Sequence, residues 1–150
     1  VSVGDHDFVK PALQALGIPL QFWRIRMKPG KPFLFTTHAG KLIFGLPGNP
    51  ASAFVTALLF VLPALRKLAG ASESGALPVT TPATLTAAAD NPGDRPHYLR
   101  GHYQFSTASF TPVGLQQSHA LAALASSNAL LRLAPEALAP AGSVHPVVLF

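Results

Sequence analysis

Apolar and polar positions along the 150-residue chain separate a first part that alternates helix and strand from a second part that is mostly strand. Phe8 to about Leu16 reads as a helix with Gly17 placed to end it and Pro19 beyond, and Pro11 favours a start later than Phe8. Leu20 to Met27 has the aromatic and β-branched content of a strand. Phe33 to Thr37 and Lys41 to Phe44 carry the pattern of a hairpin around His38-Ala39-Gly40. From Pro50 to about Ala69 the chain is nearly all apolar, with Arg66 and Lys67 in the last turn and Gly70 after it. This predicts a long helix buried on most sides.

Ala71 to Pro78 is small, polar and glycine-containing, and after it the sequence shifts to Thr, Pro and short alternating runs. A domain boundary is expected near Gly75, giving an α/β part over 1–75 and a β part over 76–150. The clearest strands of the second part are His97 to Phe105, Ser109 to Val113, Ala129 to Leu133 and Val144 to Leu149. Turn clusters at Asp90-Asn91-Pro92-Gly93 and Ala139-Pro140-Ala141-Gly142 punctuate them, so a small barrel or sandwich is expected.

Charge narrows the choice of ligand. The net charge of +5 resides before Gly75, where eight Lys and Arg face Asp5, Asp7 and Glu73, and a local positive field suits an anionic ligand. No basic run interleaved with aromatics points to nucleic acid. The chain has no cysteine, which excludes disulfides and thiolate metal sites and agrees with a reducing cytoplasm. Gly45, Pro47, Gly48, Asn49, Pro50 and Pro63 interrupt the uncharged stretch from Leu42 to Leu65, so no membrane segment is expected where ~20 residues are needed. Beginning at Val1 with the polar Gly4-Asp5-His6-Asp7 close behind, the chain reads as a piece of something longer.

Two short stretches carry chemistry. In Lys28-Pro29-Gly30-Lys31-Pro32, two lysines flank a Pro-Gly turn that can hold both ammonium groups toward one point. In Gly45-Leu46-Pro47-Gly48-Asn49-Pro50-Ala51-Ser52, Asn49 is the expected N-cap and Pro50 the first helical residue, so free N–H groups at Gly48 and beyond face an anion together with Ser52. His97 and His102 lie an odd number of residues apart on one expected strand, hence on opposite faces, and the histidines read as surface or turn residues. Phe8, Phe22, Trp23, Phe33, Phe35, Phe44, Phe54 and Phe60 read as core.

With Val1-Ser2-Val3-Gly4-Asp5-His6-Asp7 ahead of them, these two motifs resemble, in order and spacing, the molybdopterin molybdenumtransferase family of the MoeA and gephyrin E-domain type. The likeness continues through Leu99-Arg100-Gly101 and Gly114-x-Gln116-x-Ser118-His119, departing at Gln117, where the family commonly has glycine. It implies the C-terminal half of a MogA-like α/β molybdopterin-binding domain followed by a small barrel-like β domain. It also implies insertion of molybdate into adenylylated molybdopterin with release of AMP, aided by magnesium, in a cytoplasmic homodimer formed through the full-length protein. In residue terms the resemblance implies molybdate held by Lys28, Lys31, Ser52, Arg100 and Ser118 beside Gly48 and Asn49. Asp7 is implied as a catalytic carboxylate and metal ligand, and Arg24 as a catalytic residue facing the pterin phosphate or nucleotide. The alternatives are a gephyrin-like dimeric scaffold without catalysis and an isolated phosphate- or nucleotide-binding module.

Overall fold

The computed structural model describes residues 1, 7–114, 116 and 121–150. Helix α1 (Val9–Ala15) has Phe8 at its N-cap, and just ahead of it Asp7 Oδ1 accepts from the Val9 N–H at 3.2 Å. It ends in a Schellman arrangement: Gly17, at φ +68°, donates to the Gln14 carbonyl and Ile18 to that of Leu13. Pro11 is tolerated because the first turn has no intrahelical partner for its missing N–H.

A three-stranded antiparallel sheet follows, ordered β1 (Phe22–Trp23), β2 (Leu34–His38), β3 (Lys41–Gly45). The β2–β3 hairpin turns on Ala39 and Gly40, both at positive φ, with His38 paired to Lys41. The strand expected over Leu20 to Met27 is cut to two residues. Arg24 takes a left-handed conformation (φ 63°), and the chain then leaves the sheet to bond with the second half of the molecule.

The long helix runs as α2 (Pro50–Thr56), one widened π-helical stretch (Ala57–Val61) and α3 (Leu62–Leu68). Pro63 accounts for the widening: it offers no N–H and its ring crowds the carbonyl a turn earlier, which a π register relieves. The helix is unbroken from Pro50 to Leu68, long and apolar enough to cross a membrane by length and composition only. One expectation changes here: the helix is not buried on most sides, since Phe54, Phe60, Leu65 and Leu68 are exposed. The short α4 (Glu73–Ala76), capped by Ser72, leads into the second half.

There, β4 (Thr80–Leu85), β6 (His97–Gln104), β7 (Ser109–Pro112), β8 (Ala129–Leu133) and β10 (Val144–Leu149) close into a barrel of order β10-β4-β7-β6-β8, so of the two expected architectures the barrel forms. β5 (Ala89–Asn91) pairs with β9 (Ala137–Ala139), and α5 (Leu121–Ala125) precedes β8. Leu85, Leu99, Phe110, Leu131 and Val147 fill the barrel. Gly101 is needed on β6 because a β-carbon there would run into the Phe110 ring.

A separate apolar cluster of Met27, Val55 and Leu130, flanked by Leu58, Leu59, Tyr98 and Val148, packs the long helix and the segment after β1 against the barrel. This junction positions the site.

Candidate anion-binding cleft

Main-chain bonds hold the lysine turn from both sides. Lys28 docks on β6, its N–H donating to the Pro96 carbonyl (2.9 Å) while its carbonyl accepts from the Tyr98 N–H (2.7 Å). The Lys28–Pro29 peptide is cis, and the Phe33 N–H closes the turn on the Gly30 carbonyl at 3.0 Å. Gly30 adopts φ +121°, a conformation open mainly to glycine, and a β-carbon there would lie 2.6 Å from Thr56 Cγ2 on α2. The backbone of the turn is therefore buried against the helix while both lysine side chains reach solvent.

The elbow ahead of α2 forms as the capping pattern requires. Asn49 is extended (φ −78°, ψ 125°), its side chain accepts from the Ser52 N–H at 3.4 Å, and Pro50 opens the helix. Ser52 is buried, and its carbonyl receives the Thr56 hydroxyl at 2.8 Å. The turn and the elbow line one cleft of about 420 Å³, which brings together Lys28, Lys31, Gly48, Asn49 and Ser52. The positive end of the helix dipole adds to the lysine charges there.

Sequence reasoning passed over three residues here. Arg95 also lines the cleft, its Nη1 directed at the Met27 carbonyl (3.5 Å) and its Nε beside Asp94 (3.4 Å). Gln116 lines it too, and its side-chain amide braces β6: Oε1 accepts from the Arg100 N–H (2.9 Å), and Nε2 donates to the carbonyls of Arg100 and Val113 (both 2.8 Å). The third is His97, expected at the surface or in a turn but buried at 4% exposure, with Nε2 lacking a hydrogen-bond partner among the described residues. Burial, then the charges of Lys28 and Arg100, lower its pKa to about 4; Arg95 acts the same way and Asp90 opposes. Its burial follows from the parallel bridge to Lys28, which lays the turn over the start of β6. A strand pattern read alone carries no signal of that cover.

The remaining expected site residues are placed differently. Arg100 is fully buried on β6 and does not line the cleft, and burial draws its pKa below the ordinary value. Ser118 lies outside the described residues. Asp7 and Arg24 share a second cleft of about 540 Å³ with Lys10, Gln14 and Trp23, distinct from the lysine cleft. The described residues hold no group of three or more His, Asp or Glu side chains suited to a metal ion.

Comparison with known proteins agrees with this architecture. Residues 1–67 match the family model described as "Probable molybdopterin binding domain", and residues 82–150 match "MoeA C-terminal region (domain IV)". The chain is 37% identical over 139 residues to the molybdopterin molybdenumtransferase of Haemophilus influenzae, covering 91% of this chain and 34% of that protein. It is 36% identical over 157 residues to gephyrin of Dictyostelium discoideum, covering 89% of this chain and 22% of that protein. The molybdopterin biosynthesis moeA protein of Pyrococcus horikoshii OT3 superposes with a TM-score of 0.73 at 26% identity, covering 89% of this chain and 33% of that one. The chain thus spans about a third or less of the length of the curated relatives it matches. With both family models matched in series and the relatives aligned across the α/β part and the barrel alike, this chain belongs to the MoeA and gephyrin family, of which it carries the C-terminal portion.

Proposed function

We propose that this chain supplies the oxyanion-binding part of a molybdopterin molybdenumtransferase, acting in molybdenum cofactor biosynthesis to insert molybdate into adenylylated molybdopterin with release of AMP. One observation supports this above others: both lysines of the rigid turn and the capped start of the long helix line a single cleft. Molybdate is a tetrahedral dianion, and two ammonium groups match its charge without demanding the planar fork of arginine. Lys28 and Lys31 neutralise it, the Ser52 hydroxyl of the elbow is a donor, and Arg95 adds a third positive group lining the cleft. Arg100 and Ser118 complete the family's set, Arg100 by fixing with Gln116 the strand beside the cleft.

Asp7 and Arg24, in the neighbouring cleft, face the phosphate-bearing part of the substrate in this reading. Magnesium fits there in a limited sense. Asp7 is the one carboxylate of that cleft among the described residues, and magnesium is commonly held by one or two carboxylates together with substrate phosphates. When bound it would supply charge neutralisation at a phosphate. The proposal extends to domains over 1–75 and 76–150 and to a cytoplasmic homodimer of the full-length protein, acting on small molecules with neither nucleic acid nor membrane as partner.

Isothermal calorimetry with molybdate tests the reading. Lys28→Ala should weaken binding at least tenfold, the scale of a lost charged hydrogen bond of about 1.5–3 kcal/mol, with little change in Tm because the side chain is exposed. Unchanged molybdate affinity accompanied by a large loss of stability would reassign Lys28 to a structural role.

A further inference from the structure

Asn91 falls in the turn cluster ahead of β6, where an asparagine ordinarily serves the turn from a solvent-facing position. Here it is only 2% exposed, and the hydrogen bonds of its side-chain amide all go to the main chain. Nδ2 donates to the carbonyls of Arg95 (2.8 Å) and Ala134 (2.7 Å), and Oδ1 accepts from the Gly93 N–H (3.3 Å). One side chain thus ties the loop over residues 91–95 to itself and to the link between β8 and β9. The Glu136 N–H, donating to the Gly93 carbonyl at 3.1 Å, is a second tie to that link. Arg26 reaches the same loop from outside, its Nη2 donating to the Asp94 carbonyl at 2.7 Å and lying 4.0 Å from the Asp94 carboxylate. Both of those side chains are more than three-quarters exposed, so water competes for the contact. The buried amide, with its three bonds shielded from water, decides where the loop runs.

That loop carries two parts of the lysine cleft. Pro96, at its exit, supplies the carbonyl that receives the Lys28 N–H, and Arg95 lines the cleft itself. The Arg95 side chain is lightly held: Nε is 3.4 Å from Asp94 Oδ1, Nη1 is 3.5 Å from the Met27 carbonyl, and Nη2 has no partner among the described residues. A guanidinium with unspent donors on a fixed backbone is what charge-assisted bonding to an oxyanion requires. We propose that Asn91 is a positioning residue of the oxyanion cleft, acting through Arg95: by fixing the Arg95 carbonyl it sets where the guanidinium stands in the cleft that Lys28 and Lys31 line. Arg95 then donates from Nη2 to the bound anion. The proposal rests on the preceding reading, in which this cleft takes molybdate, and adds a residue to which that reading gives no part.

A binding cycle tests it. Molybdate affinity is measured by calorimetry on the 150-residue chain, on Asn91→Ala, on Arg95→Gln and on the pair, each checked for folding by circular dichroism. Arg95→Gln and Asn91→Ala should each weaken binding at least about tenfold. In the Arg95→Gln background, Asn91→Ala should cost less than about twofold more, because the group it positions is already gone. A residue needed only for stability would lower Tm in both backgrounds and leave the affinity of the folded chain unchanged in both. Without ligand, hydrogen exchange of the Lys28 amide should quicken in Asn91→Ala, since its acceptor is the Pro96 carbonyl. Should Asn91→Ala not fold, Asn91→Ser takes its place in the cycle. Unchanged affinity in Arg95→Gln, equal losses from the Asn91 change in both backgrounds, or unaltered Lys28 exchange would overturn the proposal. Where Lys28→Ala still weakens binding, the oxyanion reading survives that result. A parent chain that binds no molybdate at millimolar concentration would overturn both.

Discussion

Gly30 offers the sharpest test of how the lysine turn is held. Gly30→Ala imposes two separable costs. At φ +121° an alanine is strained whatever the surrounding space, about 1–3 kcal/mol for a residue held in a sparsely populated region. Its β-carbon would also lie 2.6 Å from Thr56 Cγ2 and 3.2 Å from Met27 Sδ. The methionine can give way, but Thr56 is fully buried and its hydroxyl is fixed to the Ser52 and Ala53 carbonyls at 2.8 and 3.1 Å. Overpacking of that kind adds about 1–3 kcal/mol, for a total of roughly 2–5 kcal/mol, a large share of the 5–15 kcal/mol that stabilises a typical domain. Thr56→Ser keeps the hydroxyl and removes the obstructing methyl, itself costing about 1 kcal/mol of buried apolar surface. In a double-mutant cycle read by urea unfolding, the pair should therefore be at least about 1 kcal/mol more stable than the sum of the single changes. A Gly30→Ala chain within about 0.5 kcal/mol of the parent, or a cycle with no coupling, would refute the account of the turn as a backbone wedged against the helix.

Two further outcomes follow from the same coordinates. Because the folded pKa of His97 lies at about 4, below its ordinary 6.5, the unfolded chain binds the extra proton between those values, so stability should be full above pH 6.5 and fall as pH drops toward 4. The loss is roughly 3 kcal/mol at about 1.4 kcal/mol per pH unit, and urea unfolding of His97→Asn should show a flatter slope in that window, whereas equal slopes would mean His97 is not held neutral by its surroundings. Ala39, at φ 49° in a two-residue turn that favours Asn-Gly, should accept Ala39→Asn with a gain of about 0.5–1 kcal/mol; a loss of stability in the same assay would contradict the assigned turn.

What could be read from the residues was whatever local chemistry decides. Asn49-Pro50 could be nothing other than the start of a helix on capping grounds, Gly17 ended α1 through its left-handed conformation, and the alternation in β6, β7, β8 and β10 fixed those strands to within a residue or so. What could not be read was decided by the junction. Leu20 to Met27 has strand-forming side chains, yet Arg24 turns left-handed and Lys28 takes its backbone partners at Pro96 and Tyr98 instead of on β2, and no local pattern encodes that competition. His97 belongs to a strand whose face is covered by a turn nearly seventy residues earlier in the chain, so its burial and its low pKa are long-range properties. Arg95 escaped notice because an arginine after a turn cluster carries no signature until Lys28 is laid beside it.

The same junction explains how the exposed lysines can be held over one cleft, the proposed site of a small dianion. Ammonium groups on flexible stems would ordinarily spread apart, since bringing two like charges together is unfavourable. Here the repulsion acts against a backbone fixed at three points: Lys28 on β6, Gly30 against Thr56, and Phe33 bonded back to Gly30. Loosening any one of these lets the lysines separate, and the anion would then have to supply the energy that holds them. Substitutions at the junction that leave every lysine in place, Thr56→Ala or Leu130→Ala among them, should therefore weaken molybdate binding as well as stability, whereas the exposed Leu65 or Leu68 on the far part of the long helix should affect neither the cleft nor its affinity. Comparing molybdate affinity in those two groups by calorimetry, under conditions where all variants remain folded, separates a cleft held open by the fold from one assembled by its ligand.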